Sequence, residues 1–313
     1  MADVPNILVV GSINMDLVVR TPRMPQPGET VLGSQFMASP GGKGANQAVA
    51  VARLGARCKL IGRVGQDAFG QQLVSSMTAE GVDCTDVMVS TDAPTGVAMI
   101  IVDSKGENSI VVASGANHTV TPDDLFARES AFSKSQIVLL QLELPLPTVR
   151  AAIDLARRNG CKVILDPAPA PAKMCPELCQ VDILTPNNTE AEAITGLGSG
   201  EEKGDKMIAS ALIERGARNV VLKLGPRGCL VVMSDGHFYT VPPYKVDVVD
   251  TTAAGDAFTA ALAVAVARGD KMHDAARFAN AAGSLACTRL GAQPAMPKSD
   301  EVKALMIRAA EFE

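Results

Sequence analysis

The chain sets a carboxylate where an anion would settle. In DTTAAGDAFTAALAVAVARG (residues 250–269) small residues lead to Asp256 and then into a run that is apolar on nearly every helical side. Gly255 lets a ligand approach the backbone closely, because no side chain stands in the way. The small neighbours leave main-chain N–H groups uncovered at the start of a buried helix. Unpaired donors and the positive end of the helix dipole make such a terminus an anion site. A carboxylate there suits a base that deprotonates whatever attacks the anion. It could equally do no more than stabilise the first helical turn.

A second stretch, SPGGKGANQAVAVARLGA (39–56), puts Gly41, Gly42 and Gly44 into a loop that can wrap a ligand, with Lys43 inside it. A helix is expected from about Ala45 to Gly55, with Asn46 on its first turn, placed to bond ligand hydroxyls or to cap. The spacing matches neither G-x-G-x-x-G nor the P-loop, since neither Ser nor Thr follows Lys43. Polar residues also punctuate the ends of apolar runs: Asn14 and Asp16 in GSINMD, then Glu143, Asp166, Asn187 and Lys223. Any one of them alone reads as turn or cap chemistry. Together, on one rim, they read as a site.

These residues need elements to hold them at one place. ILVV (7–10) suits a buried strand. Residues 17–37 hold β-rich pieces broken by Pro22, Pro25, Pro27 and Gly28, and 95–115 reads as a hairpin around Lys105-Gly106. Those two segments are expected to form a small sheet apart from the core, as a flap over the site or a dimerisation surface. KLIGRVG (59–65) is strand-like, and a helix follows from about Asp67 to Glu80. From residue 120 onward strands and helices alternate: a helix from about Pro122, strand 137–143, helix 148–160, strands 162–170 and 181–187, helices 188–195 and 201–215, strand 219–225. Residues 229–242 look like an antiparallel pair. Such alternation implies a largely parallel sheet covered on both faces, whose strand ends share a crevice.

Composition narrows the classes. With 313 residues, 47% hydrophobic and 20% charged, the chain can bury a large core. The balance of 29 basic against 34 acidic residues, net −5, without a dense basic run, argues against a nucleic-acid partner. Two Tyr, eight Phe and no Trp offer few platforms for stacking. The seven scattered Cys and three His show no zinc spacing and suit reduced thiols in a cytosol. MADVPNILVV lacks the basic region of a signal peptide, and the apolar run 257–267 is too short to span a bilayer.

GGKGANQAVAVARLGA and DTTAAGDAF resemble the two signatures of the PfkB (ribokinase-like) sugar kinase family. The pair in that order is far more specific than either alone, and the similarity runs from Ile7 to about Pro297. Within the family GSINMD, GGKGAN, QLE at 141–143, NNTE at 187–190 and RLGAQPA at 289–295 most resemble the members that act on ribose. The resemblance implies an α/β, ribokinase-like fold: one PfkB domain over 1–313, a central mostly parallel sheet flanked by helices, and a small β-sheet lid from segments about 13–38 and 95–114.

It also implies roles. Asp256 would be the general base, with the N–H groups of Ala253, Ala254, Gly255 and Asp256 as the anion hole for the transferred phosphoryl. Sugar contacts would fall to Asn14, Asp16, Gly42, Lys43, Asn46 and Glu143. ATP would lie along Asn187, Lys223, Gly225, Arg227, Gly228, Gly255 and Asn280, with Pro226 standing where the family often has a smaller or polar residue. Glu190 would order Mg2+ through water. A K+ activator would sit at Asp250, Thr252, Ala286, Arg289, Gly291 and Ala295. The expected reaction is ATP-dependent phosphorylation of D-ribose at the 5-hydroxyl, in a cytoplasmic homodimer joined through the lid, with neither nucleic acid nor membrane as partner. Fructose, 2-keto-3-deoxygluconate or a nucleoside are the alternative substrates, and a non-catalytic sugar sensor is a further reading. A dinucleotide-binding dehydrogenase is disfavoured, because GSINMD does not supply G-x-G-x-x-G.

Overall fold

Apolar runs that end in Gly, Asp or Asn can be buried on both faces only in a sheet covered by helices, and that is how they fold. The computed structural model describes residues 4–171, 174–198 and 202–310. Met1 to Asp3 of the N-terminal stretch, and position 201, where a helix was expected to begin, lie outside the described residues.

The chain opens with β1 (Asn6–Val10), β2 (Asn14–Arg20), β3 (Gln35–Gly41), α1 (Lys43–Arg53), β4 (Arg57–Gly65) and α2 (Ala68–Ala79). Next come β5 (Val82–Asp83), β6 (Val87–Ser90), β7 (Gly96–Val102), β8 (Asn108–Ala113), α3 (Pro122–Phe126) and α4 (Glu129–Ser133). The middle holds β9 (Ile137–Leu140), α5 (Leu146–Arg158), β10 (Lys162–Leu165), α6 (Pro176–Cys179), β11 (Ile183–Leu184), α7 (Asn188–Thr195) and α8 (Glu202–Glu214). The chain closes with β12 (Asn219–Lys223), β13 (Cys229–Met233), β14 (Phe238–Val241), α9 (Ala254–Ala267), α10 (Met272–Ala286) and α11 (Ser299–Ala310).

Among the described residues ten strands form the main sheet, in the order β14-β13-β12-β11-β10-β9-β1-β4-β5 with β6 also on β4. Pairing is parallel from β12 to β5, and β13 and β14 add an antiparallel edge. Strand period two divides the core. Ile7 and Val9 join α1, α9 and α10 on one face, whereas Leu8 and Val10 join α5 and α8 on the other. Among the described residues no helix is long and apolar enough to cross a membrane.

Four strands, β3-β2-β7-β8, make a second sheet. Asp16 pairs with Ala98, and Ala98 with Val112, so the three share one face. Phe36, Met99 and Val111 lie on the opposite face and are exposed.

Several elements depart from their sequence pattern. The runs 137–143, 162–170 and 181–187 pair only over β9, β10 and β11, so Gln141, Asp166 and Thr185 fall just past the strand ends, all buried. Lys43 and Gly44 are helical rather than looped. At Gly44 a Cβ would come within 2.5 Å of Gly11 and Ser12 backbone, so glycine lets α1 start against β1's exit. Helices α10 and α11 complete the chain beyond the elements expected from the sequence.

Candidate active site

The site forms where β1, β9, β10 and β12 end and where α1 and α9 begin. The N-cap of helix α9 is Ala253, whose backbone is left-handed at φ 58° and whose side chain offers no cap. Ala257 N–H makes the first bond into the helix, to Ala253 O at 3.0 Å, so the N–H groups of Gly255 and Asp256 precede the helical ladder. Ala254 N–H bonds Thr251 O at 3.3 Å in this conformation. A Cβ at Gly255 would lie 3.3 Å from Lys223 Nζ, which brings the cation of β12's end beside this terminus.

Asp256 is buried, and two side chains of α1 reach it. Asn46 Nδ2 donates to its Oδ2 at 3.0 Å, and Gln47 Nε2 to its Oδ1 at 3.2 Å. Gln47 Nε2 also donates to Asp166 Oδ2 at 3.2 Å, and Gln47 Oε1 accepts from Gln141 Nε2 at 2.6 Å. Asp166 further takes Lys223 Nζ at 2.8 Å and Thr259 Oγ1 at 3.3 Å. Burial raises the Asp256 pKa; Lys43 opposes the rise, Asp166 adds to it, and the bonds from Asn46 and Gln47 restrain it. A carboxylate with a raised pKa, buried beside an anion site, is a competent proton acceptor. Asn46 Oδ1 is buried with no partner, a sign that a ligand donor belongs there.

A second group lies beneath the small sheet. Asn117 Nδ2 donates to Asn14 Oδ1 at 2.7 Å and Asn117 Oδ1 accepts from Ile13 N at 2.9 Å, which fixes the Asn14 amide. Glu143 Oε2 accepts from Ser12 Oγ and from Lys43 N, the latter at 3.2 Å. Gly42 has φ 87°, and a Cβ there would come within 2.6 Å of Asn14 N, so only glycine lets the loop pass. Burial first, then repulsion from Glu143 and Asp256, lifts Asp16 to about 7, with Lys43 offsetting part of it. Burial disfavours charge on Lys43, yet Asp256, Asp166, Glu143 and Glu190 outweigh it and hold its pKa above the usual range. Lys43 is therefore a cation among these carboxylates. A cavity of about 360 Å³, lined by Asn14, Glu143, Val112 and His118 among others, opens between the small sheet and the strand ends.

Residues expected at the nucleotide fall into two sets. Asn187 caps α7 and exchanges bonds with Glu190 at 2.8 Å each way. A bridge pairs Asn187 with Lys223, so both stand beside Asp166. Burial raises the Glu190 pKa; Lys223 lowers it and Asp166 raises it again. Gly225 and Gly228 turn the chain with φ 56° and 83°. Arg227 lies apart from the Asp256 group and binds the buried Asp205 of α8 at 2.5 Å. Asn280 donates to Val241 O at 3.0 Å and Pro242 O at 3.1 Å, fastening the end of β14.

Three of the residues matched to a monovalent cation, Asp250, Thr252 and Gly291, also meet. Asp250 Oδ1 accepts from Thr252 N at 2.9 Å, and its Oδ2 from Gly291 N at 2.8 Å. Burial would raise Asp250, but these bonds and that of the Thr252 hydroxyl hold its carboxyl below the usual range. Arg289 turns its guanidinium to Glu301. Ala286 and Ala295 are buried nearby in sequence, at the end of α10 and just before α11.

Ser12, Gln47, Asn117 and Gln141 were not singled out from the sequence, and Asp166 was read only as a rim residue. A polar residue in an apolar helical run, as Gln47 is in ANQAVAVA, was the one available signal.

The family model described as pfkB family carbohydrate kinase matches residues 4–299. A ribokinase of Haemophilus influenzae is 39% identical over 295 residues, 94% of this chain and 96% of that one. A deoxyribokinase of Salmonella typhi is 33% identical over 297 residues, 95% and 97% of the two chains. The solved structure of Arabidopsis thaliana ribokinase complexed with ribose and ATP superposes with a TM-score of 0.91 at 34% identity, covering 97% of this chain and 99% of that one.

Proposed function

The chain belongs to the pfkB family of carbohydrate kinases, and on that premise we propose that it transfers the γ-phosphoryl group of ATP to the 5-hydroxyl of D-ribose. The buried Asp256, tied to α1 and set at the open start of α9, carries the reading. Asp256 takes the hydroxyl proton as the hydroxyl oxygen bonds to the γ-phosphorus. The bond from that phosphorus to the bridging oxygen breaks, and ADP leaves with its electron pair. The N–H groups at the start of α9 face the charge on the transferred oxygens. The products are ribose 5-phosphate and ADP.

Asn14, Asp16, Gly42, Lys43, Asn46 and Glu143 hold the sugar. Amides and carboxylates suit adjacent hydroxyls, and Asn46 stands next to the base. Asn187, Lys223, Gly225, Gly228 and Gly255 line the nucleotide side, with Arg227 and Asn280 shaping it from behind. Among the described residues no cluster of three or more His, Cys, Asp or Glu could cage a metal. Glu190, held by Asn187, would stand beside a Mg2+ carried mainly by phosphates and water, and the ion would neutralise phosphate charge. The bonds that gather Thr252 and Gly291 on Asp250 suit a K+ held by their carbonyls, with those of Ala286, Arg289 and Ala295.

The single domain closes its small sheet, residues 13–38 and 95–114, as a lid that excludes water from ATP. The outer strand β8 is exposed along its length, and Phe36, Met99 and Val111 form an apolar face. A second copy covers that surface, giving a homodimer. The seven cysteines are free, which suits a cytoplasmic protein.

The test is ADP release with Mg-ATP and ribose, 2-deoxyribose, fructose, adenosine, 2-keto-3-deoxygluconate or no sugar, for wild type and Asp256→Asn. Ribose-dependent turnover that collapses in the variant is the expected result. The deoxyribokinase relative favours one second reading, 2-deoxyribose, and a higher kcat/KM on that sugar would select it. Sugar binding without turnover would leave a sensor.

A further inference from the structure

Gln47 stands at the centre of the buried polar cluster without a part in the reaction above. Its side chain is fully buried, and Gln141, Asp166 and Asp256 are at most 3% exposed. Both amide protons are spent, one on Asp256 Oδ1 and one on Asp166 Oδ2, each at 3.2 Å, and its oxygen accepts from Gln141 at 2.6 Å. The amide has only one workable orientation. Turned over, its oxygen would lose the Gln141 donor and its protons would lose both carboxyl acceptors.

Asn46 and Gln47 are consecutive on α1 and take opposite oxygens of one carboxylate. Two donors on one rigid helix fix the plane of that carboxylate, which cannot swing without breaking both bonds. The helix is itself seated, since Ala45 N–H bonds Ser12 O at 2.9 Å and Asn46 N–H bonds Gly42 O at 2.8 Å. The base is thus registered to the same backbone that carries the sugar-side residues. On the other side, Asp166 passes from Gln47 to Lys223 at 2.8 Å, at the strand end that leads into the turn Gly225–Gly228.

We propose that Gln47 is the positioning residue of the base: it occupies Oδ1 of Asp256 and so presents Oδ2, on the Asn46 side, to the acceptor hydroxyl. This rests on the reading of Asp256 as the base. The same amide gives one N–H to each of two neighbouring buried carboxyl groups, and its bond to Asp256 favours the charged form there. Without it their repulsion is uncompensated, and Asp256 keeps its proton to higher pH. Every polar atom of the Gln47 side chain is engaged within the protein, so its effect belongs in the proton transfer and not in the binding of ATP.

The experiment compares wild type, Gln47→Met, Gln141→Met and Asp256→Asn, following kcat and KM for ribose and ATP from about pH 5.5 to 9, with thermal melts. Gln47→Met keeps length and volume and removes the donors. It is expected to lower kcat about 100-fold, the cost of a base misplaced by roughly 1 Å. The acid limb of its kcat profile should move to higher pH, while KM for ATP stays within about twofold. Gln141→Met leaves Gln47 in place but frees its oxygen, and should move the limb the same way with a smaller fall in kcat. A Gln47→Met enzyme with unchanged kcat, or one reduced equally at every pH, overturns the proposal. If Gln47→Met does not fold, an unmoved acid limb in Gln141→Met overturns it instead. Asp256→Asn separates the two claims. Activity surviving in that variant removes the base itself, whereas its loss beside an unaltered Gln47→Met removes only the role of Gln47.

Discussion

Asp16→Asn should make the ligand-free protein more stable while spoiling its sugar site. Asp16 lies half-buried on the inner face of the small sheet, and burial with the repulsion of Glu143 and Asp256 lifts its pKa from 3.8 to about 7. The unfolded chain ionises near 3.8, so between those values it releases its proton first. Stability therefore falls as pH rises through this window, and the cost is complete above the folded pKa. Some three pH units at about 1.4 kcal/mol each amount to on the order of 4 kcal/mol. Asn has the same size and no charge. The variant should gain on the order of 4 kcal/mol at pH 8 and almost nothing near pH 4, and for a chain of this size the gain at pH 8 is roughly 5 °C in Tm. Urea unfolding of both proteins at the two pH values, without sugar, measures it directly. Equal gains at the two pH values, or a loss at pH 8, would refute the reasoning. The functional half has the opposite sign: a charged acceptor for sugar hydroxyls is lost, and KM for ribose should rise by about 10-fold or more. Between pH 6 and 8 the wild-type affinity for ribose should improve as Asp16 ionises.

Gly42→Ala must hold an alanine at φ 87° with its Cβ 2.6 Å from Asn14 N, so it should cost about 2–4 kcal/mol in urea unfolding and raise KM for ribose; an unchanged KM would remove Gly42 from the sugar site. Replacing K+ by Na+ or tetramethylammonium should slow turnover, and Asp250→Ala, which releases Thr252 and Gly291, should abolish the difference between the ions; a rate indifferent to the cation speaks against the site. Phe36→Asp, at an exposed position of the small sheet, should convert a dimer into monomers in sedimentation velocity at micromolar concentration. A dimer that persists would place the interface elsewhere.

The layout of the main sheet was legible because its strands have nowhere to hide. ILVV and IVLL are apolar at every position, and KVIL after its first, which only a strand covered on both faces tolerates, and the glycines at 55, 81, 160 and 216 mark where helices stop. Strand ends were less legible. Gln141, Asp166 and Thr185 continue the extended pattern in sequence, and Asp166 and Thr185 still bond the neighbouring strand through their N–H groups, while all three side chains enter the polar cluster. Helix α10, MHDAARFANAAGSLA, was not among the expected elements, although nine of its fifteen residues are buried.

Legibility of the site divides along a physical line. Asp256, Gly42 and Asn46 stand at helix starts beside glycines, where backbone geometry leaves a mark on the sequence. Ser12, Asn117 and Gln141 leave none, because their partners lie 94 to 131 residues away and a single polar residue after a strand looks like any turn. Gln47 is the instructive case. Positions 44 to 51 of α1 are buried without a break, so that stretch of helix has no solvent face on which an amide could rest. A polar side chain there must be answered by other buried polar groups, and the only classes that can answer both its protons and its oxygen are acceptors and donors from elsewhere in the chain. The conjunction of an amide with an unbroken run of Ala and Val is thus itself evidence of a network, and two of the groups that complete it are carboxylates. Reading the helix as buried on every side, as AVAVA already suggests, would have pointed from Gln47 to a charged site before any coordinate was known.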